Sequence, residues 1–126
     1  ADLMEWFRTI RPGISESDVR RICTIENLPT LCSDIYETQL MSGGNLSAEI
    51  SCVWGLFATD VEPVRNGVRY ALITCPNALQ WTITTLADET TIHCTINQAA
   101  PDPDFAASIS AFVDKFHQGL MALAHK

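Results

Sequence analysis

The chain has 126 residues, of which 47% are hydrophobic and 18% are charged, a composition that predicts one globular domain with a single core. Fifteen acidic residues against eight lysines and arginines give a net charge of −7, which argues against nucleic acid and anionic membranes as partners. No apolar run reaches the roughly 18 residues of a membrane helix. We therefore expect a soluble, cytoplasmic protein without a transmembrane segment.

The first part of the chain predicts a strand followed by two short helices. Residues 3–10 alternate loosely and stop at Pro12-Gly13, as a strand ending in a turn does. Ser15 is placed to cap a helix of only about ten residues, which Pro29 ends. Residues 28–32 allow one further helical turn.

The middle of the chain predicts an antiparallel meander. Residues 34–40 fit a helix or a strand, and we favour a strand that ends at Ser42-Gly43-Gly44. Residues 46–58 alternate cleanly, which predicts one long strand with Leu56 and Trp54 on its apolar face. A hairpin signal at Arg65-Asn66-Gly67 precedes three more predicted strands. These cover residues 68–74, 79–84 and the region around 92–96.

The C-terminal segment predicts a helix of about twenty residues. Asp102 can cap it, Pro103 suits its first position, and apolar residues recur at helical spacing from Phe105 to Leu123. Its single apolar stripe must cover an apolar surface, for which the inner face of the meander is available. The sequence therefore predicts an α+β fold in which an antiparallel sheet of about six strands wraps around one long helix. No repeat or linker divides the chain, so residues 1–126 are expected to form one domain.

Five cysteines are widely spaced and contain no C-x-x-C pair: Cys23, Cys32, Cys52, Cys75 and Cys94. An odd number without close pairs indicates neither a disulfide framework nor a zinc site, and it is typical of a reducing compartment. Because free cysteine is among the most buried residue types, we expect these side chains in the core. No metal or cofactor is predicted.

This order of elements resembles the helix-grip fold of the START and pollen-allergen-like superfamily, also called the SRPBCC or polyketide cyclase/dehydrase-like superfamily. The most specific stretch is Ile14-Ser-Glu-Ser-Asp-Val19 followed by Ile25-Glu-Asn-Leu-Pro29 and Ser33-Asp-Ile-Tyr-Glu37. Residues 79–97 and 103–123 resemble the closing hairpin and the lid helix of the family. The resemblance implies a cavity between the sheet and the long helix that holds a hydrophobic small molecule, such as a lipid, quinone, steroid or polyketide intermediate.

Seven side chains are predicted to line that cavity by strand parity and helical spacing: Trp54, Tyr70, Trp81, Ile83, Cys94, Phe112 and Phe116. Tyr70 is the obvious polar group, and the indole N–H groups of Trp54 and Trp81 are further donors for a carbonyl or a phenol. The alternative is that these side chains are ordinary core packing.

No catalytic residue is predicted. His93 should point outwards, and His117 should lie at the edge of the apolar stripe, one turn after Asp114. Motifs for nucleotide binding and for an activated serine are absent from the sequence.

Three functions remain open. The favoured one is binding or transport of an apolar small molecule. The second is an enzyme of the cyclase, aromatase or dehydratase type, in which Tyr70 or a bound water moves protons. The third is a protein-interaction module with a filled cavity, for example a homodimer.

Overall fold

The structure is a computed structural model that describes residues 3–41 and 47–126, so the predicted turn at 42–44 lies outside the described residues. Seven strands and three helices occur within these ranges. In chain order they are β1 (Met4–Ile10), α1 (Glu16–Ile22), α2 (Leu28–Leu31), β2 (Ile35–Leu40), β3 (Ser47–Cys52), β4 (Gly55–Val64), β5 (Gly67–Leu72), β6 (Gln80–Leu86), β7 (Glu89–Ile96) and α3 (Pro103–Ala124).

All seven strands belong to one antiparallel sheet with the order β1-β7-β6-β5-β4-β3-β2. Strands β2 to β7 pair with their neighbours in sequence, and β1 pairs along β7 from Met4 opposite Ile96 to Ile10 opposite Thr90. Each strand alternates between two environments, because successive side chains point to opposite faces. The buried face of the sheet therefore forms the core together with the helices.

The predicted α+β helix-grip fold is confirmed, with seven strands instead of about six. Residues 46–58 were predicted as one strand, and this prediction was wrong: the chain reverses at Val53-Trp54, so that Cys52 pairs with Gly55. Gly55 has a φ of +122°, which side-chain-bearing residues rarely adopt, and it therefore permits the reversal. Leu56, predicted on the inner face, is 64% exposed as a result.

Helix α3 begins and packs as the sequence predicts. The Asp102 side chain accepts hydrogen bonds from the backbone amides of Asp104 and Phe105. Its buried stripe consists of Ile109, Phe112, Val113, Phe116 and Leu120. Helix α3 lies against β1, β7, α1 and α2. Within residues 3–41 and 47–126, no helix combines the length and apolarity needed to cross a membrane.

The two short helices pack between the sheet and α3: α1 contacts β5 and β6, and α2 contacts β2. Ser15 caps α1 by accepting a hydrogen bond from the Asp18 amide, as predicted. The guanidinium of Arg20 donates to the carbonyl of Val64, which fixes α1 against the hairpin between β4 and β5. The short link between α1 and α2, residues 23–27, is therefore held over the inner face of β4 and β5.

Candidate functional site

Four aromatic rings fill the space between the sheet and α3. Tyr70 stacks on Trp81 with ring centroids 5.0 Å apart. Phe112 and Phe116 meet Trp81 edge-on at 5.1 and 6.0 Å. All four residues are at most 1% exposed. These rings, called the aromatic cluster below, occupy the place where the resemblance implied a ligand cavity.

The structure brings the other three predicted site residues to the same side of the sheet. Cys94 lies opposite Trp81 in the pairing of β6 with β7, and Ile83 lies two residues along β6, both fully buried. Trp54 is half-buried at the turn between β3 and β4, and its ring centroid is 4.9 Å from that of Phe112. The predicted residues are thus together, and their role in ligand binding stays a prediction.

Two of the three predicted polar donors already have partners. The Tyr70 hydroxyl donates to the Thr24 carbonyl at 3.0 Å, and the Trp54 Nε1–H donates to the Ser108 hydroxyl at 2.8 Å. The Trp81 Nε1–H is buried and meets no hydrogen-bond acceptor in the described part of the chain. An unsatisfied buried donor costs about 1–3 kcal/mol. Trp81 is therefore the donor that remains available to an acceptor on a ligand.

Burial favours the neutral form of the Tyr70 phenol and of the neighbouring thiols. It raises the pKa of the Tyr70 hydroxyl well above its usual value of 10, and the neighbouring Cys23 and the charge of Glu26 raise it further. Burial also raises the pKa of the Cys23 and Cys94 thiols to about 12. The raised pKa values keep these groups protonated at neutral pH, which argues against Tyr70 as a general base, and its hydroxyl proton is donated to the Thr24 carbonyl.

An open cavity of about 460 Å³ lies next to the aromatic cluster, between α1, the link 23–27 and the hairpin of β4 and β5. We call it the side cavity. Buried apolar side chains form its floor: Cys23, Ile25, Val61 and Val68. Thr24 also lines it, so the hydrogen bond between Tyr70 and Thr24 joins the wall of the side cavity to the aromatic cluster.

The charged groups at the rim of the side cavity differ in their partners. Arg20 pairs with Glu16 at 2.6 Å and donates to backbone carbonyls. Glu62 pairs with Arg69. Glu26 is exposed, and its carboxylate makes no hydrogen bond or ion pair with residues 3–41 or 47–126. The unpaired charge at this rim is therefore negative.

Sequence patterns did not reveal the side cavity, because its walls come from segments about 40 residues apart. The sequence feature that marks the side cavity is Ile25-Glu26, an apolar residue next to a carboxylate in the link between two short helices. That stretch was predicted only as a link. Its place over β4 and β5 depends on tertiary contacts that periodicity does not encode.

A second hollow, of about 620 Å³, lies on the outer face of the sheet between β1, β6 and β7. Charged residues such as Arg11, Asp88 and Glu89 line it beside the exposed ring of Phe7 and the half-buried ring of His93. Although it is larger, it lies on one face of the sheet and no helix covers it. The side cavity is open to solvent, but a helix and the link 23–27 wall it as well as the sheet, and its floor is apolar, so it suits a small apolar ligand better.

The histidines lie away from the aromatic cluster. His93 points outwards as predicted, with its Nε2 2.8 Å from Glu5 Oε1. Asp114 pairs with Arg8 at 2.6 Å rather than with His117. Among the described residues, no three His, Cys, Asp or Glu side chains come together as metal ligands would. All five cysteines are free thiols.

Apolar side chains are exposed on β2, which is an edge strand of the sheet. Tyr36 is 60% and Leu40 is 47% exposed. An exposed edge can pair with another chain. The homodimer predicted as one alternative stays a prediction.

Comparison with known proteins identifies the fold. No family model matches the chain, and no curated protein matches it in sequence. The hypothetical protein jhp0584 from Helicobacter pylori is similar in structure, with a TM-score of 0.66 and 11% identity over 98% of this chain and 88% of that one. Ara h 8.0201 has a TM-score of 0.62 and 9% identity over 98% of both chains.

A third similar structure is the di-domain ARO/CYC protein StfQ from the steffimycin biosynthetic pathway. Its TM-score is 0.65 at 9% identity, and the match covers 98% of this chain and 51% of StfQ. Identities this low establish the fold alone. The resemblance to the helix-grip superfamily is thereby confirmed at the level of fold.

Proposed function

We propose that this protein binds an apolar small molecule in the side cavity. The observation that carries the proposal is an opening of about 460 Å³ whose floor is apolar and buried. Small-molecule sites span roughly 300–1,000 Å³ and are mostly apolar with a few polar groups. The structural similarity to StfQ, an ARO/CYC protein of the steffimycin biosynthetic pathway, supports a role with small molecules.

The number of heavy atoms in a small probe ligand limits the affinity that is expected. A ligand of about 13 heavy atoms gains roughly 0.3–0.5 kcal/mol per atom. The binding free energy is then about −4 to −6.5 kcal/mol, which corresponds to a Kd between roughly 20 μM and 1 mM. Such an affinity is measurable by isothermal titration calorimetry at millimolar ligand concentrations.

The aromatic cluster is a second place for the apolar part of the ligand, because of Trp81. A carbonyl or ether oxygen that reached the Trp81 Nε1–H would satisfy a buried donor that has no acceptor among the described residues. Phe112 or Phe116 would have to move first, since both rings contact Trp81. If the ligand entered the aromatic cluster in this way, it would lie among the seven residues that the sequence predicts as its site.

The test compares two phenylalanine substitutions on neighbouring strands. Val61→Phe places a ring in the side cavity, whereas Ala71→Phe places one on the outer face of β5. The probe is the neutral compound 2-(1-naphthyl)ethanol. We expect Val61→Phe to weaken its binding at least tenfold and Ala71→Phe to leave it unchanged, with circular dichroism confirming that both variants fold.

A third variant separates the two sites. Phe112→Leu opens the aromatic cluster and leaves the side cavity intact. Binding that changes in Phe112→Leu and not in Val61→Phe would move the site into the cluster. Absence of binding to the unmodified protein at millimolar probe would contradict the proposed function itself.

A further inference from the structure

We propose that the side cavity selects an organic cation, that is, an apolar body carrying a primary amine that pairs with Glu26. This inference rests on the proposed function and adds the charge of the ligand. The floor of the cavity is apolar, and the Glu26 carboxylate at its rim has no partner among residues 3–41 and 47–126. An apolar molecule with one ammonium group complements both features.

The cations near the rim already have partners. Arg20 holds Glu16 and the carbonyl of Val64, and Arg69 holds Glu62. An anionic ligand would therefore have to compete for these groups and would lie beside Glu26. An ammonium group would instead meet a carboxylate that has no other partner in the described chain.

The charge of Glu26 acts on the inside of the cavity as well as on solvent. It adds to the rise in the pKa of the Tyr70 hydroxyl, whose partner Thr24 is part of the cavity wall. A ligand amine seated near Thr24 therefore lies within the electrostatic reach of this carboxylate. The net charge of −7 also raises the local concentration of cations around the whole protein.

The experiment uses three probes that share one naphthalene body and differ in charge. They are 2-(1-naphthyl)ethylamine, 2-(1-naphthyl)ethanol and 1-naphthylacetic acid, titrated by calorimetry at neutral pH. We expect the amine to bind about fivefold more tightly than the alcohol, and the acid to bind more weakly than either. The preference for the amine should shrink when salt is raised from about 20 to about 300 mM, because salt screens a partly exposed pair.

Glu26→Gln tests the residue, and Glu37→Gln is its matched control. Glu37 is an exposed carboxylate on β2 that does not line the side cavity, so its substitution changes the net charge equally. Glu26→Gln should lower the affinity for the amine to that for the alcohol. The affinity for the alcohol itself should not change. Glu37→Gln should keep the fivefold preference.

The possible failures are distinguishable. If the alcohol binds and the amine binds no better, the ligand class is wrong but the side cavity is still a binding site. If Glu26→Gln keeps the preference for the amine, Glu26 is not the group that selects a cation. If both glutamine variants lose the preference equally, the overall charge of the protein is responsible and Glu26 is not. If none of the three probes binds, the proposed function fails together with this inference.

Discussion

Gly119 is predicted to be a position in α3 where alanine destabilises the protein. In an ordinary helix interior, replacing glycine by alanine stabilises the helix by about 1 kcal/mol. At Gly119 a Cβ would lie 2.8 Å from the Cα of Leu31 and still closer to the Leu31 carbonyl. Both are backbone atoms, so rotation of a side chain cannot relieve the overlap. Helix α2 would have to move away from α3.

The magnitude follows from what this movement disturbs. Leu28 and Leu31 of α2 are both fully buried, so a shift of α2 removes apolar contacts as well as straining the backbone. Forcing an extra carbon into a well-packed site costs about 1–3 kcal/mol. Burial lost at Leu28 and Leu31 adds about 2 kcal/mol, the value for one leucine side chain. After subtracting the gain in helix propensity, we expect Gly119→Ala to lower the free energy of unfolding by about 2–4 kcal/mol. The Tm should fall by roughly 10 °C.

The assay is urea unfolding followed by far-ultraviolet circular dichroism. Gln118→Ala is the control, because Gln118 is the exposed residue next to Gly119 in the same helix. Its effect should stay within about 0.5 kcal/mol of the unsubstituted protein. A Gly119→Ala variant as stable as the unsubstituted protein would refute the close approach of α2 and α3.

Three further predictions concern the core, the thiols and acid stability. Phe112→Ala should cost about 3–5 kcal/mol in urea unfolding, because a 1%-exposed ring is lost from the aromatic cluster, and a loss below about 1 kcal/mol would contradict that packing. Ellman's reagent at about pH 8 should label Cys75 alone in the native protein, since the other four thiols are buried, and fast labelling of a second thiol would contradict this. The hydrogen bond from Arg8 lowers the pKa of the Asp114 carboxyl below its ordinary value of 3.8, so the stability it adds is present at neutral pH and lost as the pH falls below 3.8. The melting temperatures of the unsubstituted protein and Asp114→Asn should therefore converge at acidic pH. A difference that stayed constant with pH would show that the Asp114 carboxylate adds no pH-dependent stability.

Local signals were sufficient for most of the fold. The caps at Ser15 and Asp102, the breaks at proline and glycine, and the apolar stripe of α3 each depend on residues within a few positions of one another. The turn at Val53-Trp54 was missed because a two-residue reversal continues the alternation of the strands on either side. Gly55, the one residue that marks it, was read as part of a strand.

The candidate site was less accessible to sequence reasoning. Strand parity placed Tyr70 and Trp81 on the inner face of the sheet, helical spacing placed Phe112 opposite them, and the structure has these rings in contact. Parity does not specify how much space is left between side chains, and here the rings leave the interior filled. The side cavity depends on how far the link 23–27 stands above β4 and β5, a tertiary distance that no local pattern records.

A filled interior favours the side cavity over the aromatic cluster as the place where a ligand first binds. Moving Phe112 or Phe116 aside would sacrifice packing that is worth several kcal/mol, which is comparable to the whole binding free energy expected for a small ligand. The side cavity requires no such rearrangement. Its inner wall is fixed by the hydrogen bond from Tyr70 to Thr24, and Tyr70 is held in turn by its stacking on Trp81. If the side cavity is the binding site, as proposed, the aromatic cluster is the rigid support behind its inner wall.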